Sequence, residues 1–343
     1  MQRCIELALK GKGHVSPNPL VGAVIVLDNK IIGEGWHKKF GSDHAEVNAI
    51  RSVKDHSVLK NATLYVNLEP CSHHGKTPPC SDLIIKHHFK KVVIGMIDPY
   101  FEVAGSGIKK LRDAGIEVTV GMLEKECQEL NKRFNTFQTK KRPYIILKWA
   151  QTIDGYIAPD ATKLTAEEFE EKRHITGFTV QKLVHKWRSE EDAILVGTST
   201  IETDNPALNV RAWKGRNPKR ISLDKNLRLA SHLKIFDHSQ PTIIFTEKEH
   251  ASQGNTHFEK IIFDDALPFT IIEKLYQNNI QSLIIEGGRQ TLLTFIDAGL
   301  WDEAQIFTSN KILKTGISAP RIQGTIVHKN KIDHNLLTIY HPE

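Results

Sequence analysis

Cys71 and Cys80 stand nine positions apart in LEPCSHHGKTPPCSDLI, a stretch that also holds His73 and His74. Upstream, SDHAEV supplies His44 and Glu46. One imidazole and two thiols form a donor set that can hold Zn²⁺ tetrahedrally and leave the fourth vertex to water. His44 and Cys80 each fall at the start of an expected helix, where free N–H groups favour thiolate over thiol. Bound zinc lowers the pKa of its water towards ~7. Glu46 is then the expected carrier of the proton from that water to a leaving nitrogen, and not a ligand. A purely structural site would want a fourth protein ligand, which His73 or His74 can supply. A Cys71–Cys80 disulfide is disfavoured, because only four cysteines in 343 residues point to a reducing compartment, the cytoplasm.

These side chains need elements to position them. Residues 2–12 read as a short amphipathic helix, and LVGAVIVLDNKIIGEGW as two strands turning at Asp28 and Asn29. Ser42 and Asp43 are good N-cap residues for a helix through HAEVNAIRSV. ATLYVNLEP is an expected strand, and PPCSDLIIKHHF starts a helix. KKVVIGMID and IEVTVGM are strands flanking the helix GSGIKKLRDAG, and EKECQELNKRFNTFQTK is one helix. Such alternation implies an α/β sandwich around a mainly parallel sheet. The basic, proline-containing TKKRPY places a boundary near Lys141, giving domains 1–141 and 142–343. The second half restarts with the strand YIILKWA, a helix around 177–190 and the strand AILVG. Strands near 219–224, 241–246 and 259–263 follow, with a helix at 268–279. SLIIEG, RQTLLTFIDAG and EAQIFTS complete a second α/β domain.

A 40% hydrophobic and 25% charged composition is that of a soluble globular chain. No apolar run approaches the ~18 residues that span a bilayer, and the N-terminal stretch does not read as a signal peptide. The net charge of +6 is mild. It suits anionic small molecules such as phosphates, and no like-charge block suggests a nucleic-acid arm. The second half has no GxGxxG and no Walker A sequence. SLIIEGGRQTLLTF instead offers a strand, two glycines and a helix, an arrangement that lets backbone N–H groups approach phosphate.

His-x-Glu followed by Pro-Cys…Cys is the signature of zinc deaminases acting on nucleobases. Most of them place two residues between the cysteines, whereas eight intervene here. With SPNPLVGAVIV, HAE and EPCSHHGKTPPC, the first half resembles the bifunctional riboflavin-biosynthesis deaminase/reductase family. KWAQTIDGYIA, HITG, VHKWRSEEDAILVGTSTIETDNPALNVR and EGG resemble the reductase half of the same family. The resemblance covers nearly the whole chain. It implies a cytidine-deaminase-like three-layer α/β/α domain followed by a dihydrofolate-reductase-like α/β domain that uses NADPH. The implied substrate is a small molecule, 2,5-diamino-6-(5-phosphoribosylamino)pyrimidin-4(3H)-one, deaminated at C2 and then reduced at C1′ to the ribityl chain. A homo-oligomer through the second domain is also implied.

Carried over by residue, the resemblance makes Asn18, His37 and Lys76 contacts of the aminopyrimidine or its ribose phosphate. Lys172, Arg188, Ala207, Arg211 and Glu286 would hold the sugar-phosphate substrate, the arginines on phosphate and Glu286 on ribose hydroxyls. Ala150, His174, Thr200, Asp204, Gly288, Arg289, Gln290, Thr291, Leu292, Leu293 and Thr294 would line the cofactor. Lys225 would meet its extra phosphate, and Lys148 and Asp204 would handle the proton that accompanies hydride. Three departures stand out. Tyr100 replaces the family's usual Asn after Asp98-Pro99. The charged spacer APDATKLTAEEFEEKRHITG is long, and it reads as a surface loop or short helical excursion. Lys172 and His174 stand where Ser and Trp are usual, and an imidazole stacks less area on a cofactor ring than an indole. Two other readings fit the motifs: a deaminase of cytosine, cytidine or tRNA adenosine, and a zinc-stabilised nucleotide-binding regulatory module without turnover.

Overall fold

The computed structural model describes residues 1–73, 78–100 and 104–343, in two compact units, Met1–Arg142 and Pro143–Glu343. The first unit runs α1 (Gln2–Leu9), β1 (Gly22–Leu27), β2 (Lys30–Trp36), α2 (Ala45–Arg51), β3 (Thr63–Leu68), α3 (Cys80–Lys86), β4 (Lys91–Met96), α4 (Ser106–Asp113), β5 (Glu117–Val120), α5 (Glu124–Leu130) and α6 (Lys132–Lys140). Its sheet order is β2-β1-β3-β4-β5. Strand alternation divides the apolar residues between two faces. Ala23, Ile25, Leu64 and Val66 meet Ala45 and Ala49 of α2, Ile84 of α3 and Leu111 of α4. Val24 meets Cys4 and Leu7 of α1 on the opposite face, and Cys127 of α5 packs with Ile5, Leu68 and Met96. The result is the expected three layers.

The sheet is mixed rather than mainly parallel. β1 is antiparallel to β2 and β3, while β3, β4 and β5 are parallel. Asp28 and Asn29 explain the difference: both have positive φ, 48° and 60°. A two-residue turn of that kind returns the chain antiparallel. Two further expectations change. α2 is preceded by His44, not by Ser42 or Asp43, because the Ser42 hydroxyl turns to Lys39 O and the Asp43 carboxylate pairs with Arg51. The last expected helix breaks at Asn131, whose buried amide accepts from Leu20 N (2.8 Å) and donates to Leu20 O (3.0 Å).

The second unit runs β6 (Tyr144–Gln151), β7 (Tyr156–Pro159), α7 (Ala166–Arg173), α8 (Phe178–Glu190), β8 (Ala193–Gly197), α9 (Thr198–Asp204), β9 (Lys219–Leu223), β10 (Thr242–Thr246), β11 (Thr256–Lys260), α10 (Leu267–Gln277), β12 (Ser282–Ile285), α11 (Arg289–Asp297), β13 (Glu303–Ser309), β14 (Gly316–Ser318), β15 (Thr325–Ile332) and β16 (Asn335–His341). Its nine-stranded sheet has the order β11-β10-β9-β8-β12-β6-β13-β16-β15. The strands are parallel from β11 to β13, and β16 and β15 close it antiparallel. Ile145, Leu147, Leu195 and Leu283 face α10 and α11; Ile146, Ile194 and Ile284 face Ile201 of α9. β11 begins three residues before the expected 259. The β15–β16 hairpin and the β7–β14 ribbon stand in addition to the strands expected from the sequence. The charged spacer is α7, opened by a Thr165–Glu168 capping box and burying none of its residues. Among the described residues no helix is long and apolar enough to cross a membrane.

Arg220 of β9 is fully buried. It donates to Thr242 Oγ1 (2.9 Å), Lys234 O (2.7 Å) and Asp237 Oδ1 (2.8 Å). Arg220→Met is expected to destabilise the second unit by about 3 kcal/mol, the low end for a broken buried pair because Asp237 keeps contact with water. Thermal unfolding should show a midpoint roughly 6–12 °C lower.

Candidate functional site

In the first unit, three donor atoms converge from three elements. His44 caps α2, Cys71 follows β3 and Cys80 opens α3. His44 Nδ1 lies 3.3 Å from Cys80 Sγ and 3.6 Å from Cys71 Sγ. All the donor atoms are within 4.8 Å of one another. Tetrahedral zinc with ordinary Zn–N and Zn–S bonds separates its ligand atoms by roughly 3.6–3.8 Å, so the donor set fits. Among the described residues no fourth His, Cys, Asp or Glu joins the cluster, and His74, one of the two expected alternatives, lies outside the described residues. The helix-start N–H of Cys80 serves the other cysteine, donating to Cys71 Sγ at 3.3 Å. Accordingly the Cys71 thiol is pulled down to about 4, first by the Cys80 thiol and then by His44. Cys80 is pushed up by the bond its own thiol gives to the Cys71 sulfur and by burial. His44 is raised to about 9, chiefly by its bond to Cys71.

Glu46 is 3% exposed, in the first turn of α2. Burial, then the charge of Cys71, raises its carboxyl to about 7, and it reaches the Cys80 thiol. Asn18 Nδ2 and His37 Nε2 are 3.0 Å apart, and His37 Nδ1 meets Asp43 O at 3.0 Å. The Asp43 carbonyl can only accept, so Nδ1 carries the proton and Nε2 accepts from Asn18. The His37 ring sits 5.7 Å from that of His44. The structure therefore gathers His44, Glu46, Cys71, Cys80, Asn18 and His37. Lys76 lies outside the described residues.

In the second unit a cavity of about 890 Å³ opens between β6, α8, α9, α11 and the inserted α7. At its wall the buried Glu286 accepts a two-pronged contact from Arg188, Nε to Oε1 and Nη2 to Oε2, both at 2.8 Å. Lys148 Nζ lies 3.5 Å from Oε2. The two cations hold Glu286 down to about 2 against burial, while burial lowers Lys148. Gly287 and Gly288 follow with φ of 132° and 72°. A Cβ on either would come within 3.1 Å of Thr200. This bare backbone at the start of α11 fits the phosphates of a nucleotide cofactor.

The model of the RibD C-terminal domain matches residues 143–326, and that of the cytidine and deoxycytidylate deaminase zinc-binding region matches residues 1–96. The riboflavin biosynthesis protein RibD of Aquifex aeolicus is 41% identical over 93% of this chain and 88% of its own length. The chain belongs to the RibD family. Another RibD, from Escherichia coli K12, is 34% identical over 91% of this chain and 87% of its own. The Thermotoga maritima diaminohydroxyphosphoribosylaminopyrimidine deaminase/5-amino-6-(5-phosphoribosylamino)uracil reductase superposes with a TM-score of 0.87 at 40% identity, covering 100% of this chain and 97% of that one. Acinetobacter baumannii RibD gives 0.88 at 31% identity, with the same coverage. As a RibD, the protein is a bifunctional deaminase and reductase of riboflavin biosynthesis, with a zinc-binding deaminase region and a reductase domain that implies a nicotinamide cofactor. Nothing here favours a regulatory module without turnover.

The RibD resemblance placed many residues in the second site. Ala150, His174, Thr200, Asp204, Gly288, Arg289, Gln290 and Leu292 line the cavity, as do Arg188, Ala207, Arg211 and Glu286. Thr291, Leu293 and Thr294 belong to α11 but are not among the lining residues. Lys172 is exposed on α7 outside the cavity, and its neighbour Arg173 lines it instead. Lys225 pairs with Glu247 at 3.4 Å, away from the lining. Arg188 and Glu286 bind each other, so Glu286 keeps only its remaining lone pairs for a ribose, and Arg188 has Nη1 on Asn209 O. Phe169, Arg173, Lys234 and Ile317 also line the cavity and were missed. Arg173 lies 3.6 Å from Asp204. Ile317 comes from β14, far along the chain, and no local pattern points to it.

Proposed function

We propose that the enzyme deaminates 2,5-diamino-6-(5-phosphoribosylamino)pyrimidin-4(3H)-one at C2 in residues 1–141, then reduces C1′ of the product with NADPH in residues 142–343. The observation that carries this reading is the open-vertexed triangle of His44, Cys71 and Cys80 with a buried carboxyl, Glu46, beside it. Zinc, when bound, activates water for attack on the amino-bearing carbon. Glu46 takes a proton from that water and gives it to the leaving nitrogen, a task suited to a carboxyl whose pKa is near neutral. Asn18, oriented by His37, presents its amide oxygen to the base edge, and Lys76 meets the phosphate.

For the second step a nicotinamide held in the cavity would supply the hydride that C1′ takes up. Lys148, with its pKa lowered by burial, donates the balancing proton, and Glu286 fixes Lys148 and Arg188 in place. Arg211 meets the substrate phosphate. Asp204 and Thr200 border the cofactor, and the start of α11 takes its phosphates. The extra phosphate that distinguishes NADPH is assigned to Lys225 at the end of β9. Retained thiols suit the cytoplasm, and β15, an exposed eight-residue edge strand, suits a homo-oligomer, since a second copy can cover such an edge.

The test supplies the diaminopyrimidine ribotide with and without NADPH and follows ammonia and cofactor oxidation separately. Ammonia is expected without NADPH, and cofactor oxidation only after it. Chelating the metal should stop ammonia release and leave NADPH oxidation on the deaminated intermediate unchanged; added Zn²⁺ should restore it. Ammonia release that persists at full rate in metal-free protein would refute the zinc chemistry.

A further inference from the structure

Glu69 directly follows β3, on the way to Cys71, and takes part in no step above, yet it is 5% exposed and fully engaged. Its Oε1 accepts from the N–H groups of Gly107 (2.9 Å) and Ile108 (3.2 Å). Its Oε2 accepts from Gly105 (2.9 Å) and Asp98 (3.2 Å). Three of these donors belong to the start of α4, where N–H groups have no partner within the helix. On the other side of Cys71, Ser72 Oγ lies 2.6 Å from Ser106 Oγ of the same helix. Between them the Pro70 carbonyl presses on Gly107 so closely that a Cβ there would lie 2.1 Å from it. The backbone before and after Cys71 is therefore clamped to one helix start. α3 approaches Cys71 separately, with Cys80 N on its sulfur and Ser81 N on its carbonyl at 3.1 Å.

We infer that Glu69 is a positioning residue of the metal centre: by gathering four backbone N–H groups it fixes the Cys71 sulfur at the spacing from His44 and Cys80 that a metal requires. The inference rests on the zinc reading of the first unit and deepens it. The position calls for acceptors on both side-chain atoms, as a carboxylate supplies. It offers acceptors alone, and it meets the partial positive charge of the helix start. A glutamine would turn its NH₂ against two N–H donors, whichever way the amide is oriented.

The test measures zinc affinity of the full chain by chelator competition, together with the visible spectrum of the Co²⁺-substituted protein. Glu69→Gln is expected to weaken zinc binding 10- to 100-fold, the range seen when a group supporting a ligand is lost. The Co²⁺ thiolate bands should change, and NADPH oxidation on the deaminated intermediate should not. Ser72→Ala, a milder release of the other side of the clamp, is expected to weaken zinc by roughly 3- to 10-fold and guards against a Glu69 variant that fails to fold. If Glu69→Gln lowers the unfolding temperature but binds zinc as wild type does, the role is merely structural and the inference falls. It falls equally if Glu69→Gln does not fold and Ser72→Ala binds zinc normally. Wild-type protein that binds neither Zn²⁺ nor Co²⁺ would overturn the zinc centre itself, which separates the two failures.

Discussion

Glu46→Gln is expected to cut ammonia release at least 10²- to 10⁴-fold, the usual contribution of a positioned acid–base group, while NADPH oxidation on the deaminated intermediate keeps its wild-type rate. Glutamine keeps the shape of the side chain, trades one acceptor oxygen for an NH₂ group and cannot take up or release a proton near neutral pH. Folding should survive, because Glu46 sits fully buried and pays for ionisation there, as its raised value of about 7 shows. A neutral isostere removes that cost. Zinc should also stay, since the three donors are His44, Cys71 and Cys80 and Glu46 is outside the cluster. The reductase step should be indifferent, because Lys148, Arg188 and Glu286 belong to a unit with its own core. Metal content, ammonia release and cofactor oxidation on one preparation decide the matter. A variant that retains zinc and still releases ammonia at the wild-type rate would remove Glu46 from the mechanism.

The first site was more legible in the sequence than the second, for a physical reason. Metal ligands must be particular residue types at element ends, so His44, Cys71 and Cys80 announce themselves within two short stretches. Glu46 follows because it stands two residues after His44, within the first turn of α2. Glu69 escaped because its partners are backbone N–H groups of Asp98, Gly105, Gly107 and Ile108, which have no side-chain signature. In the second unit the strands and helices were visible as apolar runs and periodicity, but a cavity wall is assembled from distant pieces. Glu286 and Arg188 are 98 positions apart, and only the folded chain shows that they bind each other instead of both facing ligand. Strand edges were less legible than strand centres: β11 is exposed in part and lacks the apolar run that marks β8 or β12. The break at Asn131 was hidden because the side chain that causes it bonds to residue 20, a contact no local propensity records.

Glu286→Gln should remove most of the reductase activity and destabilise the second unit together, with the deaminase as internal control. The carboxylate lies between two cations whose side chains are only 14–15% exposed. Removing one partner of a buried pair costs about 3–5 kcal/mol, because the charge left behind has no compensation. An independent route gives a similar size. Glu286 is depressed from 4.5 to about 2, which corresponds to roughly 3 kcal/mol of stability at neutral pH. The sign follows from the depression. The contribution is complete above the unfolded-state value of about 4.5 and disappears as pH falls through the folded-state value near 2. The stability gap between wild type and Glu286→Gln should therefore be widest near pH 7 and shrink as pH falls below about 4.5. Without the anion, Lys148 loses the charge that opposes its desolvation and deprotonates more readily, so the residual reductase activity should also shift to lower pH. Arg188→Leu, which leaves the Lys148–Glu286 pair, should destabilise less and spare more activity. Denaturant unfolding across pH 3–8 and NADPH oxidation with the deaminated intermediate measure both effects. A Glu286→Gln protein whose unfolding matches wild type at pH 7 would show that the triad does not support the second unit as its geometry requires.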